Sequence, residues 1–445
     1  MNMSLYSRLQ ARAEDGNPVR VGVIGCGKFG SMYLTQARLT TGVQIIAIAD
    51  LNLERARTTL EKCGWPAEQY AATSLDDAVR NGTTYLSDSS EAVIASDAVD
   101  IIIEATGDPV IGIRHCLDAI DNGRHVIMVN VEADALAGPV LAKRASAAGV
   151  VYSLAWGDQP ALICEHVDWA RACGFKVVCA GKGTRYLPEY HQLTPDKVWG
   201  VLEKYLNIDD RSLINPKMFN SFLDGTKSAI EMTAVCNATG LTPQPDGLNF
   251  PPATRFELAN ICKPAKDGGV ISHSGTTEVT SSLYRDGSDV PHHIGVGTYV
   301  VIEGETDYAR SCFGEYHMLA DDSRQYASLY RPIHMIGLEL GYSVASIALR
   351  NEPTGAPYCF NGDVVAVAKK DLKAGEILDG EGGYCVWGKA WPAKTSVDHG
   401  ALPIGLAHQV RLKADVAEGA VLKWSDVEVT DNQAISVRRE LEAMI

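Results

Sequence analysis

Val19–Gly30, "VRVGVIGCGKFG", decides how the rest of the chain is read. An apolar run, Val19 to Ile24, leads into Gly25-Cys26-Gly27-Lys28-Phe29-Gly30, and a helical stretch, Ser31 to Leu39, follows. This is G-x-G-x-x-G between a strand and a helix. The first glycine permits a tight turn, the second lets a pyrophosphate approach the backbone, and the third lets helix pack on strand. The helix N-terminus then faces the phosphates. Glycine turns alone are common, so the surroundings matter. The next apolar run, "VQIIAIAD", ends in Asp50, 20 residues after Gly30, where a carboxylate reaches an adenosine ribose. "VDIIIEATGDP" ends in Thr106-Gly107, and "RHVIMVNVEAD" passes through Asn130. Strands and helices alternate, which predicts a doubly wound parallel sheet. The expected cofactor contacts are Gly25, Gly27, Lys28, Phe29, Gly30, Asp50, Thr106, Gly107 and Asn130. Asp50 favours NAD over NADP because its charge repels a 2′-phosphate. Arg55 and Arg57 stand close by and offset that preference.

The chain has 445 residues, too many for one ordinary core, with 46% hydrophobic and 21% charged residues. A net charge of −15 without an acidic tail argues against nucleic-acid or anionic-membrane partners. An anionic substrate must therefore meet a local cluster of basic side chains. The eleven cysteines form no C-x-x-C pair and several sit in apolar runs, which suits reduced, packed thiols. The N-terminal stretch lacks the apolar core of a signal peptide, and no apolar run spans a membrane, so a cytoplasmic protein is expected.

Past Val150 the pattern changes. "FKVVCAGKGTRYLPEYH" reads as a strand and a basic turn, with Lys182, Thr184 and Arg185 within four residues. The turn suits a phosphate or carboxylate, or is an ordinary crossover. Lys204 and Lys217 follow. "NSFLDGTKSAIEMTAV", residues 220–235, reads as a capped helix on which Asp224, Lys227 and Glu231 fall at i, i+3 and i+7, on one face. Either this is a solvated ion-pair ladder, or the lysine serves as general acid and the carboxylates hold Mg²⁺ or Mn²⁺. Arg331 and His334 in "YRPIHM" are further polar candidates. No G-x-S-x-G, H-E-x-x-H or Walker loop is present. "RNEPTGAPYC" looks like a linker. Beyond it, Ala374-Gly375-Glu376-Ile377-Leu378 is echoed by Glu418-Gly419-Ala420-Val421-Leu422 in a turn-rich β module. The expected domains are 1–150 for the dinucleotide, 151–350 for catalysis and dimerisation, and 358–445 for the module.

The glycine loop, "EATG", "KGT" and "DGTK" together resemble the homoserine dehydrogenase-like oxidoreductases. In that family an aspartate and a lysine on a helix handle the substrate, and here these are Asp224 and Lys227. The family places a lysine after the asparagine of the fifth strand, where this chain has Val131-Glu132-Ala133-Asp134. The last ninety residues resemble a SAF domain, with "LKAGEIL" and "LPIGLA". The whole chain resembles the 1-deoxy-D-xylulose 5-phosphate reductoisomerase-like (DRL) group. That resemblance implies an α/β Rossmann domain, a second α/β catalytic domain and a small mostly-β SAF-like domain. It also implies NADPH, with NADH as the other candidate, and a divalent metal. Within it, Lys227 and Asp224 are catalytic. Lys182, Thr184, Arg185 and Lys204 gather the phosphate of a small phosphorylated or polyol substrate. Glu231, with Glu132 or Asp134, holds the metal, and the body forms a homodimer. The implied reaction yields 2-C-methyl-D-erythritol 4-phosphate. The alternatives are oxidation or reduction of another small polyol or sugar acid, a homoserine dehydrogenase-like reaction, and a dinucleotide-binding regulator without turnover.

Overall fold

A computed structural model of the chain describes residues 4–205, 211 and 214–445. The chain forms two compact units, residues 1–162 with 335–358 and residues 163–334 with 359–445.

The first unit is built on β1 (Val19–Ile24), β2 (Val43–Ala49), β3 (Tyr85–Ser87), β4 (Ile101–Glu104), β5 (His125–Met128) and β6 (Tyr152–Leu154). They form one six-stranded sheet in the order β3-β2-β1-β4-β5-β6, and every neighbouring pair is parallel. The strands are nearly uninterrupted apolar runs because helices cover both faces of such a sheet. Side-chain caps start those helices. Asn52 accepts from the Arg55 amide, Asp108 from Ile111 with Pro109 opening the first turn, and Asn130 from Ala133. Val21, Val23, Ile48, Ile101, Ile103 and Ile127 fill the core. The helix Gly341–Arg350 packs Val344, Ala345 and Ile347 into that same core. The strand order reverses between β1 and β4, which opens a crevice at their C-terminal ends.

The second unit holds β7 (Lys176–Thr184), β8 (Thr276–Ser281), β9 (Thr298–Glu303), β10 (Leu319–Ala320) and β11 (Tyr326–Arg331), in the order β10-β11-β9-β7-β8. Side chains alternate across the sheet. Val177, Ala180, Val279, Val300 and Ile302 pack on Met232, Val235 and Cys236 of the helix Thr226–Thr239. Val178, Cys179, Tyr299 and Val301 face Leu258, Ala259, Cys262 and Ile271 on the other side.

The C-terminal module belongs to this second unit. It pairs β12 (Gly362–Ala368) with β14 (Val386–Pro392), and β13 (Ile377–Asp379) with β15 (His408–Arg411), both antiparallel. The echoed phrases are two equivalent turns, each with its glycine at positive φ, Gly375 at 86° and Gly419 at 77°. Strand β14 lies directly on the helix Thr226–Thr239. A methyl at Gly388 would stand 2.9 Å from Thr226 Cγ2, so only glycine permits the approach. The Gly388 amide donates to Thr226 Oγ1 at 2.8 Å, and the far end of the helix is tied by Asn237 Oδ1, which accepts from the Asn361 and Gly362 amides. All eleven cysteines are free thiols. Among the described residues no helix is long and apolar enough to cross a membrane.

Candidate functional site

In the first unit the glycine turn ends β1. Gly25 has φ 97°, and a methyl there would sit 2.6 Å from the Ala105 carbonyl oxygen; one on Gly30 would sit 2.2 Å from the Gly25 carbonyl oxygen. Gly27 differs, since nothing lies within 4 Å of the methyl it lacks. It caps the helix Lys28–Ala37 without a side-chain hydrogen bond, so no side chain of the cap closes off the start of that helix. Lys28 is exposed and Phe29 half-buried beside it. The turn therefore fits a pyrophosphate of a dinucleotide. Asp50, at the end of β2, does more than the sequence implied. Its buried carboxylate accepts from the Cys26 amide at 2.9 Å and the Asn52 amide at 2.9 Å, so it braces the glycine turn. Arg55 closes on the same carboxylate at 2.8 Å, while Arg57 pairs with Glu54 on the surface. Thr106 Oγ1 donates to Glu104 at 2.5 Å, Gly107 has φ 74°, and Asn130 Nδ2 donates to the Asp108 carbonyl at 2.8 Å. Burial and the Asp50 charge push the Cys26 thiol up to about 12, so it stays protonated.

In the second unit the stretch 220–235 is two helices, which corrects the single helical face expected for Asp224, Lys227 and Glu231. Pro216–Leu223 ends with Asp224 at its C-cap, and Thr226–Thr239 starts after Gly225 at φ 89°. Only Lys227 and Glu231, one turn apart, share a helix. Both are buried, at 8% and 3% exposure. Glu231 pairs with Lys182 on β7, also buried. Asp224 is wholly buried, and the lysine its carboxylate holds is Lys369 of the C-terminal module, at 2.7 Å. Its other oxygen accepts from the Thr226 amide at 2.9 Å.

Strand register extends this group. Lys182 stands opposite Thr298 on β9, and Thr298 opposite Arg331 on β11, so the three side chains share one sheet face in a row. His166 Nε2 lies 3.1 Å from Thr298 Oγ1. Burial, and then the Arg331 guanidinium, push its ring down to about 4, so it is neutral. Thr184, two residues after Lys182 on β7, is buried. Arg185 turns elsewhere: it pairs with Asp289 at 2.9 Å and lies over the Tyr205 ring at 4.8 Å. Lys204, beside Tyr205, is exposed. Lys217 donates to the Asp379 carbonyl of the module, and His334 Nδ1 lies 2.7 Å from the Val296 carbonyl oxygen.

The acids expected to bind a metal do not fit one. The Glu231 carboxylate is occupied by an ammonium. Asp134 is fully buried and accepts from Tyr152 Oη at 2.7 Å, and burial pushes its carboxyl up to about 7. Glu132 lies half-buried on the first turn of the helix Val131–Ala147. Among the described residues no group of three or more His, Cys, Asp or Glu is placed to hold a metal ion.

Sequence reading missed Lys369, His191, His166 and Thr298. His191 Nδ1 lies 2.7 Å from the Asp224 carbonyl oxygen and its ring stacks on Trp387 of the module at 3.7 Å. No local motif marks these residues; only strand register and the module's packing bring them in.

Comparison with known proteins agrees with this layout. Residues 19–128 match the oxidoreductase family with an NAD-binding Rossmann fold, and residues 157–340 match the catalytic domain of the oxidoreductase DRL family. These are oxidoreductase domains. Residues 363–428 match the SAF domain. A homoserine dehydrogenase from Methylobacillus glycogenes is 27% identical over 122 residues, a match that spans 25% of this chain and 25% of that protein's length. Among solved structures, a homoserine dehydrogenase from Thiobacillus denitrificans is 16% identical with a TM-score of 0.42, over 75% of this chain and 74% of that one. Scyllo-inositol dehydrogenase from Lactobacillus casei is 9% identical with a TM-score of 0.40, over 77% of this chain and 92% of that one.

Proposed function

We propose that the chain reduces a carbonyl of a small polyhydroxylated substrate with a reduced nicotinamide dinucleotide, and that this substrate derives from 1-deoxy-D-xylulose 5-phosphate, rearranged and reduced to 2-C-methyl-D-erythritol 4-phosphate. The observation that carries the reading is Lys227, a buried lysine on the first turn of a helix next to the Lys182–Glu231 pair. Carbonyl reduction needs a hydride on carbon and a proton on oxygen. The bound dinucleotide supplies the hydride. Lys227 Nζ gives its proton to the carbonyl oxygen as that oxygen becomes a hydroxyl, and the neutral amine regains a proton from solvent. Asp224 acts by holding the start of the helix. Lys182, held by Glu231, and Thr184 orient the polar end of the substrate, and the exposed Lys204 adds positive charge toward its phosphate, while Arg185 is turned to Asp289 and takes no part. Arg55 lies on Asp50 with its side chain 60% exposed, which supports NADPH as the cofactor, with NADH also accepted. Glu231, already paired with Lys182, takes no part in holding a metal.

That pairing favours one second reading, a metal-independent oxidoreductase of another small polyol or sugar acid. The test follows loss of reduced-nicotinamide absorbance with 1-deoxy-D-xylulose 5-phosphate, using NADPH and NADH in parallel, with and without Mn²⁺. Turnover with NADPH is expected, and Lys227→Ala is expected to lower kcat by roughly 10²–10⁴-fold with dinucleotide affinity unchanged. No turnover with either cofactor sinks this substrate and leaves polyols and sugar acids. Turnover that survives Lys227→Ala sinks the assigned acid.

A further inference from the structure

We infer that Lys369, supplied by the C-terminal module, is a positioning residue of the candidate site: it holds the Asp224–Gly225 junction and so sets the turn that carries Lys227. This rests on the reading of Lys227 as the proton donor. Lys369 is 2% exposed at its side chain and Asp224 0%. The ammonium has three protons to donate, and three acceptors meet it: Asp224 Oδ2 at 2.7 Å, the Leu193 carbonyl at 2.7 Å and the Gly383 carbonyl at 2.9 Å. A buried ion pair of this kind is seldom worth more to stability than an apolar pair of the same volume, and what this one adds is a fixed geometry at the junction.

The module holds the same junction by two further routes. The Asp224 carbonyl faces His191 Nδ1 at 2.7 Å, and the His191 ring lies flat on Trp387 at 3.7 Å and 18°. The next residue but one, Thr226, accepts from the Gly388 amide at 2.8 Å. The backbone at 224–226 is thus fastened by Lys369, Trp387 through His191, and Gly388, all from the module. Lys227 is the next residue. Gly225, at φ 89°, cannot stiffen the junction by itself.

The charge arrangement gives the test a sign. In the full chain, Lys369→Met leaves the Asp224 carboxylate uncompensated three residues from Lys227, which favours the ammonium form of Lys227. Asp224→Asn leaves the Lys369 charge unopposed and does the reverse. The readout is the acetylation rate of Lys227 by acetic anhydride at pH 8, followed by mass spectrometry of its peptide, with thermal melting alongside. Acetylation is expected to slow about tenfold in Lys369→Met and to quicken about tenfold in Asp224→Asn, the change that follows from one order of magnitude in the free-amine fraction. The double variant is expected to return close to the parent rate. Loose packing alone would quicken both single variants, so rates that shift in the same direction, or do not shift, overturn the inference. Should Lys369→Met not fold, Lys369→Gln keeps donors for the two carbonyls and removes the charge; it is expected to slow acetylation equally, and no slowing overturns the inference. Turnover separates the two readings. If the parent protein does not reduce 1-deoxy-D-xylulose 5-phosphate, the functional reading fails while the labelling rates still decide the role of Lys369. If it does, both single variants are expected to lose kcat at least tenfold with the KM for NADPH unchanged.

Discussion

Asp134 shows how far a single residue can depart from its sequence appearance. In "NVEAD" it stands as a candidate metal ligand. In the fold it is fully buried and meets Tyr152 Oη at 2.7 Å. Burial dominates, and the carboxyl is pushed up to about 7 against an ordinary 3.8. The folded chain therefore holds this proton more tightly than the unfolded chain does. The group's contribution to stability is fully present below pH 3.8 and is lost as pH rises through about 7. Asp134→Asn keeps the carbonyl that Tyr152 needs and removes the buried charge. The variant is expected to match the parent in unfolding free energy at pH 4 and to exceed it at pH 8, by about 4 kcal/mol at most. Denaturant melts at the two pH values decide this; equal stability at pH 8 would show the carboxyl to be charged at no cost. Asp224 is the opposite case, a buried acid with an ammonium in contact. Nothing near "DGTK" names that ammonium, because Lys369 lies 145 residues away along the chain.

At the scale of an element, the glycine turn and the helix after it were legible because each glycine answers a local demand. Gly25 and Gly30 are required by the fold itself, since an added methyl would meet backbone oxygen. Gly27 is not. Its φ of −78° and ψ of −158° suit any residue, and the space around it is open. Its job is toward whatever approaches the helix N-terminus. Gly27→Ala is expected to melt like the parent and to bind NADPH at least tenfold more weakly, an energy loss of about 1.4 kcal/mol or more, read by titrating nicotinamide fluorescence. Unchanged affinity would show that no phosphate lies against this turn. The stretch 220–235 was read less well. Helical spacing placed three charged residues on one face, but Gly225 at φ 89° breaks the helix between the first and the other two. A glycine in a helical pattern gives no sign of whether tertiary contacts will bend the chain there.

At the scale of the molecule, the C-terminal module is packed into the second unit. Its core holds a bidentate pair, Arg438 on Asp363 at 2.8 and 2.5 Å, both buried, with Ser396 donating to the same carboxylate at 2.5 Å. Asp363 adjoins Gly362, whose amide and carbonyl are bound by Asn237 at the end of the helix Thr226–Thr239. Arg438→Met leaves Asp363 buried and unpaired, a loss of about 3–5 kcal/mol. Because module and helix share this packing, amide exchange in residues 226–239 is expected to quicken together with that in β12 and β14. Faster exchange confined to the module would show that it unfolds independently of residues 226–239.

The sequence by itself determined the parallel sheet, the glycine turn with Asp50, the presence of a second α/β body and the turn-rich module. These rest on signals shorter than one supersecondary unit: apolar runs alternating with helical stretches, a glycine turn between strand and helix, and a repeated turn phrase. Tertiary structure decided the rest. It returned residues 335–358 to the first unit, aligned Lys182, Thr298 and Arg331 across three strands, and chose Lys369 as the partner of Asp224. The reason is physical. A buried charge must find its counter-charge wherever packing excludes water, and that place is set by which strands pair and which faces close, so residues far apart along the chain carry no local mark of their meeting.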